Sequence, residues 1–456
     1  MTRPKPPASK ATSGLNAAGF LYLSEAVLAK VKEATGDSGK GTVDELKFGP
    51  LYETMSEILF PWCSTLTSRA RYFYFGYAVL KLALDATIST KMVSPSYQRQ
   101  EVSSLARGKL LEFRRNTRRI EKYLSLALNL MGNQDGAAGR NKVTRWCSQG
   151  RDAVKAPCHS MILSLDGRYP NAIYRAPCKS LNLFVKESHN QALLQSRLLG
   201  IDPFQPDWVS AGQNSLWELE SIVEFWEARA NDSLIDVATA FRASPAFKRF
   251  NGFNLRSGEA IFLYDKIQEK TTYWKSVTPT ALMTMFGGDV DFILLKEYVD
   301  GKEKDYFDIA GHIDVATRHF RHYYAEIVAS SDVNPSTGDI AAALPEILAS
   351  ISWLDSKAQV SRPKVGWEDI WVTGYSRLLR SWATSIPLGP KKLAKDLKLR
   401  AESVVAMRGR GKEAPHLRQK PDDGDIDKEL ELQPSSFRLS NATRILRDIS
   451  VGMRDD

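Results

Sequence analysis

The most recognisable catalytic spacing in the sequence joins Cys63 to Arg69, with five residues between them. Cysteine phosphatases use this spacing, because a thiolate attacks the phosphorus while backbone amides and the arginine hold the phosphate oxygens. The loop of such an enzyme usually needs glycine to wrap around the phosphate. No glycine lies between Cys63 and Arg69, so the spacing does not predict a phosphatase.

Cysteine and histidine residues form two sets that resemble metal-binding patterns. The first set is Cys147, Cys158, His159, Cys178 and His189. It has no closely spaced cysteine pair of the kind that starts a zinc site, so free buried thiols are favoured. The second set, on one predicted helix, is His312, His319, His322 and Glu326. Three of its members share a face, but neighbouring arginines disfavour a cation, so we predict neither a metal ion nor a cofactor.

Two glycine-containing segments partly match nucleotide-binding patterns. Residues 36–42 have too few residues before their Gly-Lys pair for a phosphate-binding loop, and they follow a predicted helix rather than a strand. Residues 287–292 contain Asp289 and Asp291, but glycines directly adjoin these carboxylates, unlike the magnesium-binding pair of nucleotidyltransferases. We interpret both segments as loops. The sequence therefore favours a protein that is not an enzyme, with a cryptic nuclease as an alternative.

Arg69 and Arg71 are candidates for binding an anion. Ser64 or Thr65 can cap a predicted helix, which places both arginines in its first turns. The dipole of a helix disfavours cations at that end unless an anion lies nearby. The closest anions in the sequence are Asp44 and Glu45. We predict a buried ion pair with them, and the alternative is that the arginines and the capping hydroxyls hold a phosphate.

This region also carries the densest sequence motif. It reads Asp-Glu-Leu-Lys-Phe-Gly-Pro at 44–50, Phe-Pro-Trp-Cys-Ser-Thr at 60–65 and Arg-Ala-Arg-Tyr-Phe at 69–73. The motif resembles a bacterial family of unknown function that carries Asp-Glu-Leu-Gly-x-Gly-Pro, Phe-Pro-Gly-x-Ser-Thr and Thr-Arg-Ala-Arg-Tyr-Phe. Weaker similarities occur at 170–174, 259–263, 324–329 and 444–453. Trp62 and Cys63 differ from the family pattern, so the chain resembles a divergent member.

The resemblance implies no activity. Genes of the family tend to lie beside helicase-like and phospholipase-D-like nuclease genes in phage-defence neighbourhoods, which implies an accessory role in bacterial anti-phage defence.

Positive charge is concentrated in two segments. Residues 107–122 carry seven basic and two acidic side chains, a net charge of +5, and residues 391–420 carry ten and three, a net charge of +7. Because the whole chain has a net charge of +9, the rest of the sequence is slightly acidic. The candidate phosphate-binding residues in these segments are Arg107, Arg114, Arg115, Arg118, Arg119, Lys122, Lys391, Lys392 and Lys395. We predict backbone binding to DNA or RNA without base specificity, and an acidic protein surface fits equally well.

Composition limits the class of protein. The chain has 456 residues, of which 43% are apolar and 25% charged, which excludes wholesale disorder. Four cysteines cannot form a disulfide scaffold. Glu25 interrupts the apolar residues 15–29, and no apolar run is long enough to span a bilayer. We therefore predict a cytoplasmic protein with no membrane contact.

Helical periodicity dominates the sequence. We predict helices at 18–33, 51–59, 64–86, 103–131, 216–241, 257–269, 312–329, 340–354, 367–385 and 391–407. The only strand-like segments are 171–174 and 179–185. The predicted fold class is mainly α and multi-helical, with two or three packed helical subdomains and few short strands.

The predicted divisions follow breaks in the pattern. Residues 1–13 form a disordered basic leader, 14–202 an N-terminal helical domain with the motif, and 203–335 a central helical domain. Residues 336–456 form a basic C-terminal helical region, with a polar linker at 409–424. The leading functional hypothesis is a defence accessory component that binds nucleic-acid backbone. The second is a scaffold that docks a helicase or nuclease subunit.

Overall fold

Helices make up most of the residues that the structure, a computed structural model, describes: 46–64, 69–131, 170–271, 304–329, 335–360, 366–407 and 438–454. In the first half they are α1 (Gly49–Leu59), α2 (Tyr72–Thr87), α3 (Arg99–Leu130), α4 (Pro170–Ser180), α5 (Asn190–Leu198), α6 (Pro206–Ala211), α7 (Gln213–Glu227), α8 (Leu234–Ala243), α9 (Pro245–Arg249) and α10 (Ser257–Lys270). In the second half they are α11 (Lys304–Ala329), α12 (Gly338–Ala342), α13 (Leu344–Val360), α14 (Trp367–Ile370), α15 (Ser376–Ser385), α16 (Pro390–Met407) and α17 (Leu439–Gly452). This confirms the predicted mainly α, multi-helical fold class.

The two predicted strands are wrong. Residues 171–174 lie inside α4, which begins with Pro170, and proline is favoured at the first position of a helix. The segment 179–185 contributes one bridge residue, since Phe184 pairs with Phe204 in an isolated antiparallel bridge. Within the described ranges, β-type pairing is limited to that bridge.

Three predicted helices are divided in the structure. The segment 216–241 separates into α7 and α8, because the side chain of Ser233 accepts a hydrogen bond from Asp236 N and caps a new helix. The segment 340–354 corresponds to α12 and α13. The segment 367–385 corresponds to α14 and α15, and a π-helical turn at Trp371–Tyr375 lies between them. The predicted helix at 64–86 begins only at Tyr72, as α2.

The helices pack in two groups. One group comprises α2–α10 and α17, and the other comprises α1 and α11–α16. Contacts therefore cross both predicted boundaries, since α1 packs on α11 and α17 packs on α10. The division at residues 202 and 335 stays a prediction. None of the described helices is long and apolar enough to cross a membrane.

Helix α2 forms the centre of the first group. Every residue from Tyr72 to Leu80 is buried, because α3, α4, α5 and α7 all pack against this helix. The ring of Tyr77 contacts those of Phe204 and Trp208 at centroid distances of 5.1 and 5.4 Å. A helix that is apolar on all sides needs such an enclosure. The elements around α2 are therefore held in fixed positions, including α3 with its basic residues.

Candidate functional site

Helix α3 presents a basic stripe on its solvent side. Its inward face is formed by Val102, Ala106, Phe113, Thr117 and Ile120, all buried. On the opposite face, Arg107, Arg114, Arg115 and Arg118 are exposed. Leu111 lies among them and is 60% exposed. Residues seven and eleven positions apart share a helical face, so the four arginines and Leu111 form one row along α3. We call this row the α3 stripe.

The four arginines of the α3 stripe have no acidic partner among the residues that the structure describes. The glutamate beside them is already engaged, since Lys109 Nζ donates to an oxygen of Glu112 at 2.7 Å. Arg119 lies to one side, with its Nη2 3.3 Å from Glu227 Oε1 on α7. The stripe therefore offers uncompensated positive charge on a rigid helix.

Lys122 does not belong to this surface. It is only 8% exposed, and the residues that follow it in α3 are buried on all sides. The sequence-based assignment of Lys122 to a phosphate-binding surface is corrected accordingly, because a buried ammonium cannot reach a nucleic-acid backbone.

The second basic segment lies on α16, in the other helix group. Lys391, Lys392 and Lys395 are exposed there. Lys392 Nζ donates to Asp396 Oδ1 at 2.7 Å, and the hydroxyl of Ser385 donates to the other oxygen. Burial opposes the charge of Asp396, but these hydrogen bonds outweigh it and lower the pKa of the carboxyl. Residues 408–420 of the segment lie outside the described residues. In the described part of the segment, Lys391 and Lys395 form no ion pair, although the charge of Lys395 helps to lower the pKa of Asp396.

Arg71 is completely buried, at the residue just before α2. Its Nη2 donates to Glu218 Oε2 at 2.9 Å, and its Nη1 donates to the carbonyl oxygen of Gly252 at 2.9 Å. Its Nε lies 3.3 Å from Glu259 Oε2, although the geometry there is that of an ion pair rather than a hydrogen bond. We name Arg71, Glu218, Glu259 and Arg256 the buried quartet. Two cations thus balance two carboxylates.

The remaining contacts of the buried quartet satisfy both carboxylates. Arg256, which is 41% exposed, pairs with Glu218 from the solvent side. The hydroxyl of Ser215 donates to Glu259 Oε1, and the backbone N–H of Arg256 donates to Glu259 Oε2 at 3.0 Å. Because its charge is used inside the protein, Arg71 offers no surface to a nucleic acid or a free anion, and its assignment as such a site is corrected.

Arg69 also contacts an acidic residue distant in sequence. Its Nε and the backbone N–H of Ala70 both donate to Asp448 Oδ2 on α17 at 2.9 Å. The hydroxyl of Tyr174 accepts from the N–H of Arg69 and donates to its carbonyl oxygen. Burial raises the pKa of Asp448 above its ordinary value, and Arg69 opposes that shift. Arg69 is therefore a link between the motif segment and the last helix.

The buried ion pair predicted for these arginines forms with carboxylates that the sequence did not indicate. Asp44 and Glu45, the predicted partners, lie outside the described residues. One signal was present, since Glu218 stands on a helical face that otherwise carries Ser215, Leu219 and Ile222. A carboxylate on a face of that kind indicates a buried cation elsewhere in the fold.

The cysteine at the phosphatase spacing is buried. Cys63 is 1% exposed, and its thiol donates to the carbonyl oxygen of Ser64 at 3.5 Å. Because Arg69 is paired with Asp448, it cannot serve as a free phosphate clamp. Residues 65–68 of the loop lie outside the described residues.

No group of three metal-binding side chains occurs within the ranges that the structure describes. His312 stacks on Trp353 at a centroid distance of 4.1 Å, and His322 Nδ1 lies 3.9 Å from Glu326 Oε1. Burial and the neighbouring Arg318 lower the pKa of His319. Cys147, Cys158, His159 and Asp289 lie outside the described residues.

A polar cleft of about 400 Å³ opens between α6, α7 and α10, beside the buried quartet. Asp207, Asn214, Arg256 and Glu259 are among the residues that line it. Arg256 and Glu259 are already engaged within the buried quartet, so the cleft has one carboxylate, that of Asp207, with no ion-pair partner in the described residues.

Comparison with known proteins identifies no relative. No family model matches the chain, and no curated protein or solved structure is significantly similar to it. The motif resemblance at residues 44–73 therefore stays a prediction.

Proposed function

We propose that this protein binds the backbone of DNA or RNA through the α3 stripe. The observation that carries the proposal is that four exposed arginines share one helical face and have no acidic partner in the described part of the chain. Arginine suits phosphate because its planar guanidinium donates two parallel hydrogen bonds.

The dimensions of the α3 stripe are suitable for a few phosphates. Arg107 and Arg118 are eleven residues apart, which corresponds to about 16 Å at a rise of about 1.5 Å per residue. Backbone contacts of this kind give affinity without base recognition, so binding should depend strongly on salt and weakly on sequence. The motif resemblance supports placing this activity in a bacterial anti-phage complex, beside a helicase or nuclease subunit.

A second candidate function is that of a protein-interaction scaffold. Leu111 favours it, because a leucine that is 60% exposed in the middle of a charged row is typical of a protein interface rather than a phosphate-binding surface. An acidic partner surface with an apolar centre would fit the same face.

The test is a salt titration with a labelled duplex and a labelled single strand. Changing Arg114, Arg115 and Arg118 to Gln removes three phosphate contacts and should lower the slope of log affinity against log salt by about 2–3 units. The free energy of unfolding should stay nearly unchanged, because exposed charges contribute little to it.

The matched control removes three cations that lie outside both basic segments. Arg242, Lys248 and Arg249 are exposed on α8 and α9, and their change to Gln alters the net charge by the same amount. We expect a clearly smaller loss from this control. An equal loss would contradict the assignment to α3. Absence of binding by the unmodified protein at about 50 mM salt, which favours phosphate contacts, would reject nucleic acid as the ligand and favour the scaffold.

A further inference from the structure

Helix α7 carries an exposed face of opposite charge to that of α3. Glu220 and Glu224 are exposed, with no cationic partner in the described residues. Glu227 continues the row, and Trp217 at its far end is 57% exposed. We call these four residues the α7 stripe. Among the other tryptophans that the structure describes, six are buried and one is partly buried. A tryptophan left more than half exposed beside such a set marks a surface that binds a partner.

The two stripes meet at one point and extend in opposite directions from it. Arg119 pairs with Glu227, and the ring of Tyr123 stacks on that of Trp226 at 6.3 Å, so the end of α7 lies beside the middle of α3. The start of α7 lies at the start of α2, where Glu218 binds Arg71.

Helix α2 fixes the relative direction of the two stripes. Its end lies beside the middle of α3, where Asn116 Nδ2 donates to Thr87 Oγ1 at 3.0 Å. The start of α2 packs on Tyr174 of α4, whose neighbour Arg175 lies close to Glu121, further along α3, so α3 runs opposite to α2. α7 runs parallel to α2, because Gly212 before α7 lies against the rings of Tyr74 and Tyr77, while Glu227 at the end of α7 connects to Thr87 through Arg119 and Asn116. The α3 stripe lies before Arg119 in the direction of α3. Beyond Arg119 in that direction, the surface is formed by the α7 stripe. The surface is positive on one side of the Arg119–Glu227 pair and negative on the other.

We propose that two copies of this chain dock through these stripes about a two-fold axis near Arg119 and Glu227. A two-fold rotation exchanges the two halves of the surface, which places the α3 stripe of each copy on the α7 stripe of the other. The contact is isologous and closes as a dimer, because each copy contributes both the positive and the negative half.

The two halves match in length and in the position of their apolar residues. The α3 stripe extends about 16 Å, and the α7 stripe, ten residues from Trp217 to Glu227, about 15 Å. Leu111 lies about 12 Å from the junction along α3, and Trp217 about 15 Å from it along α7. After the rotation these two residues meet, while Arg114 and Arg115 face Glu220 and Glu224.

The size of the surface indicates a weak dimer. A strip about 30 Å long and one helix wide is at the small end of specific interfaces, where association is transient. Its charged pairs stay near solvent, so association should weaken steeply as salt rises. The same arginines serve the proposed function, and nucleic acid and the second copy therefore compete for the α3 stripe.

Sedimentation velocity of the full chain tests the dimer without nucleic acid. At about 100 µM protein and about 50 mM salt, conditions suited to a weak charged interface, the mass should rise above 51.0 kDa towards twice that value. It should return to the monomer at about 500 mM salt. Changing Trp217 to Ala should weaken association by about tenfold or more. A monomer at low salt would overturn the proposal.

A charge exchange gives the sharpest test. Glu220→Lys with Glu224→Lys, and separately Arg114→Glu with Arg115→Glu, should each weaken self-association by at least about tenfold. An equimolar mixture of the two variants should associate again, because the rotation pairs each altered stripe with its altered complement. The matched control is Asp339→Lys with Glu346→Lys, two exposed acidic residues of the other helix group, which should leave association unchanged. Failure of the mixture to associate would reject the proposed docking.

Failure of this inference can be distinguished from failure of the proposed function. If the stripes dock but α3 binds no nucleic acid, sedimentation shows that association is lost in each charge variant and restored in their mixture, while the titration shows no binding of nucleic acid. If α3 binds nucleic acid but no dimer forms, the mass stays at 51.0 kDa, and Glu220→Lys with Glu224→Lys changes the nucleic-acid titration only by the effect of the added charge.

Discussion

Removal of the Arg71 guanidinium should be among the most destabilising single changes in this protein. Arg71 is fully buried, and Glu218 and Glu259 keep side-chain exposures of only 5% and 1%. Arg71→Ala leaves two buried carboxylates with one partly exposed arginine, Arg256, and leaves the carbonyl oxygen of Gly252 without its donor. Breaking a buried pair in this way costs about 3–5 kcal/mol of unfolding free energy.

Denaturant unfolding, followed in parallel by circular dichroism and tryptophan fluorescence, measures this loss. Arg118→Ala, which removes an exposed arginine of the α3 stripe, is the matched control and should change the unfolding free energy by less than about 0.5 kcal/mol. A neutral variant, Arg71→Met with Glu218→Gln and Glu259→Gln, should recover much of the stability, because no buried charge is then left unpaired. A loss below about 1 kcal/mol for Arg71→Ala would refute the burial argument.

Four further experiments test individual residues. The pKa of Asp448 is raised in the folded state, so its carboxyl adds to the free energy of unfolding at low pH, and this contribution is lost as pH rises above the ordinary aspartate range. Because Asn does not titrate, the free energy of unfolding of Asp448→Asn relative to the unmodified protein should increase with pH, as measured by denaturant unfolding across pH. A Cβ at Gly452 would lie 2.8 Å from that of Leu255, so Gly452→Ala should cost about 1–3 kcal/mol by thermal unfolding. Gly108→Ala, into open space on α3, should instead stabilise by about 0.5–1 kcal/mol. Burial raises the pKa of the Cys178 thiol, so thiol labelling of the native protein followed by mass spectrometry should leave this cysteine unmodified, and rapid labelling would contradict its burial.

The sequence predicts the helices whose ends carry local signals. The predicted helix at 257–269 corresponds to α10, where the side chain of Glu259 accepts from the backbone N–H of Arg256 and closes the first turn. The predicted helix at 391–407 corresponds to α16, which begins with Pro390. The break at Ser233 also had a local signal, a serine with an aspartate three residues later, which the apolar periodicity obscured.

The start of α2 could not be predicted, because tertiary contacts determine it. Arg71 binds carboxylates from α7 and α10, and Ala70 and Arg69 bind Asp448 from α17, so the residues before Tyr72 are held by partners that lie up to 379 positions away. No local pattern identifies such partners. The sequence indicated the right kind of interaction for these arginines, an internal ion pair, but not the carboxylates that form it.

The charge count of residues 107–122 overstates the number of free cations and gives no information on their alignment. Lys109 and Arg119 are paired with glutamates and Lys122 is buried, which leaves the four arginines of the α3 stripe, all on one face. Four phosphate contacts release enough counterions for a salt slope of about 3.6 at most. A measured slope well above that value would require cations from another surface, and Lys391 and Lys395 on α16 are the first to test. A slope at or below it, with a dimer that dissociates as nucleic acid is added, is the result expected if one row of arginines serves both ligands.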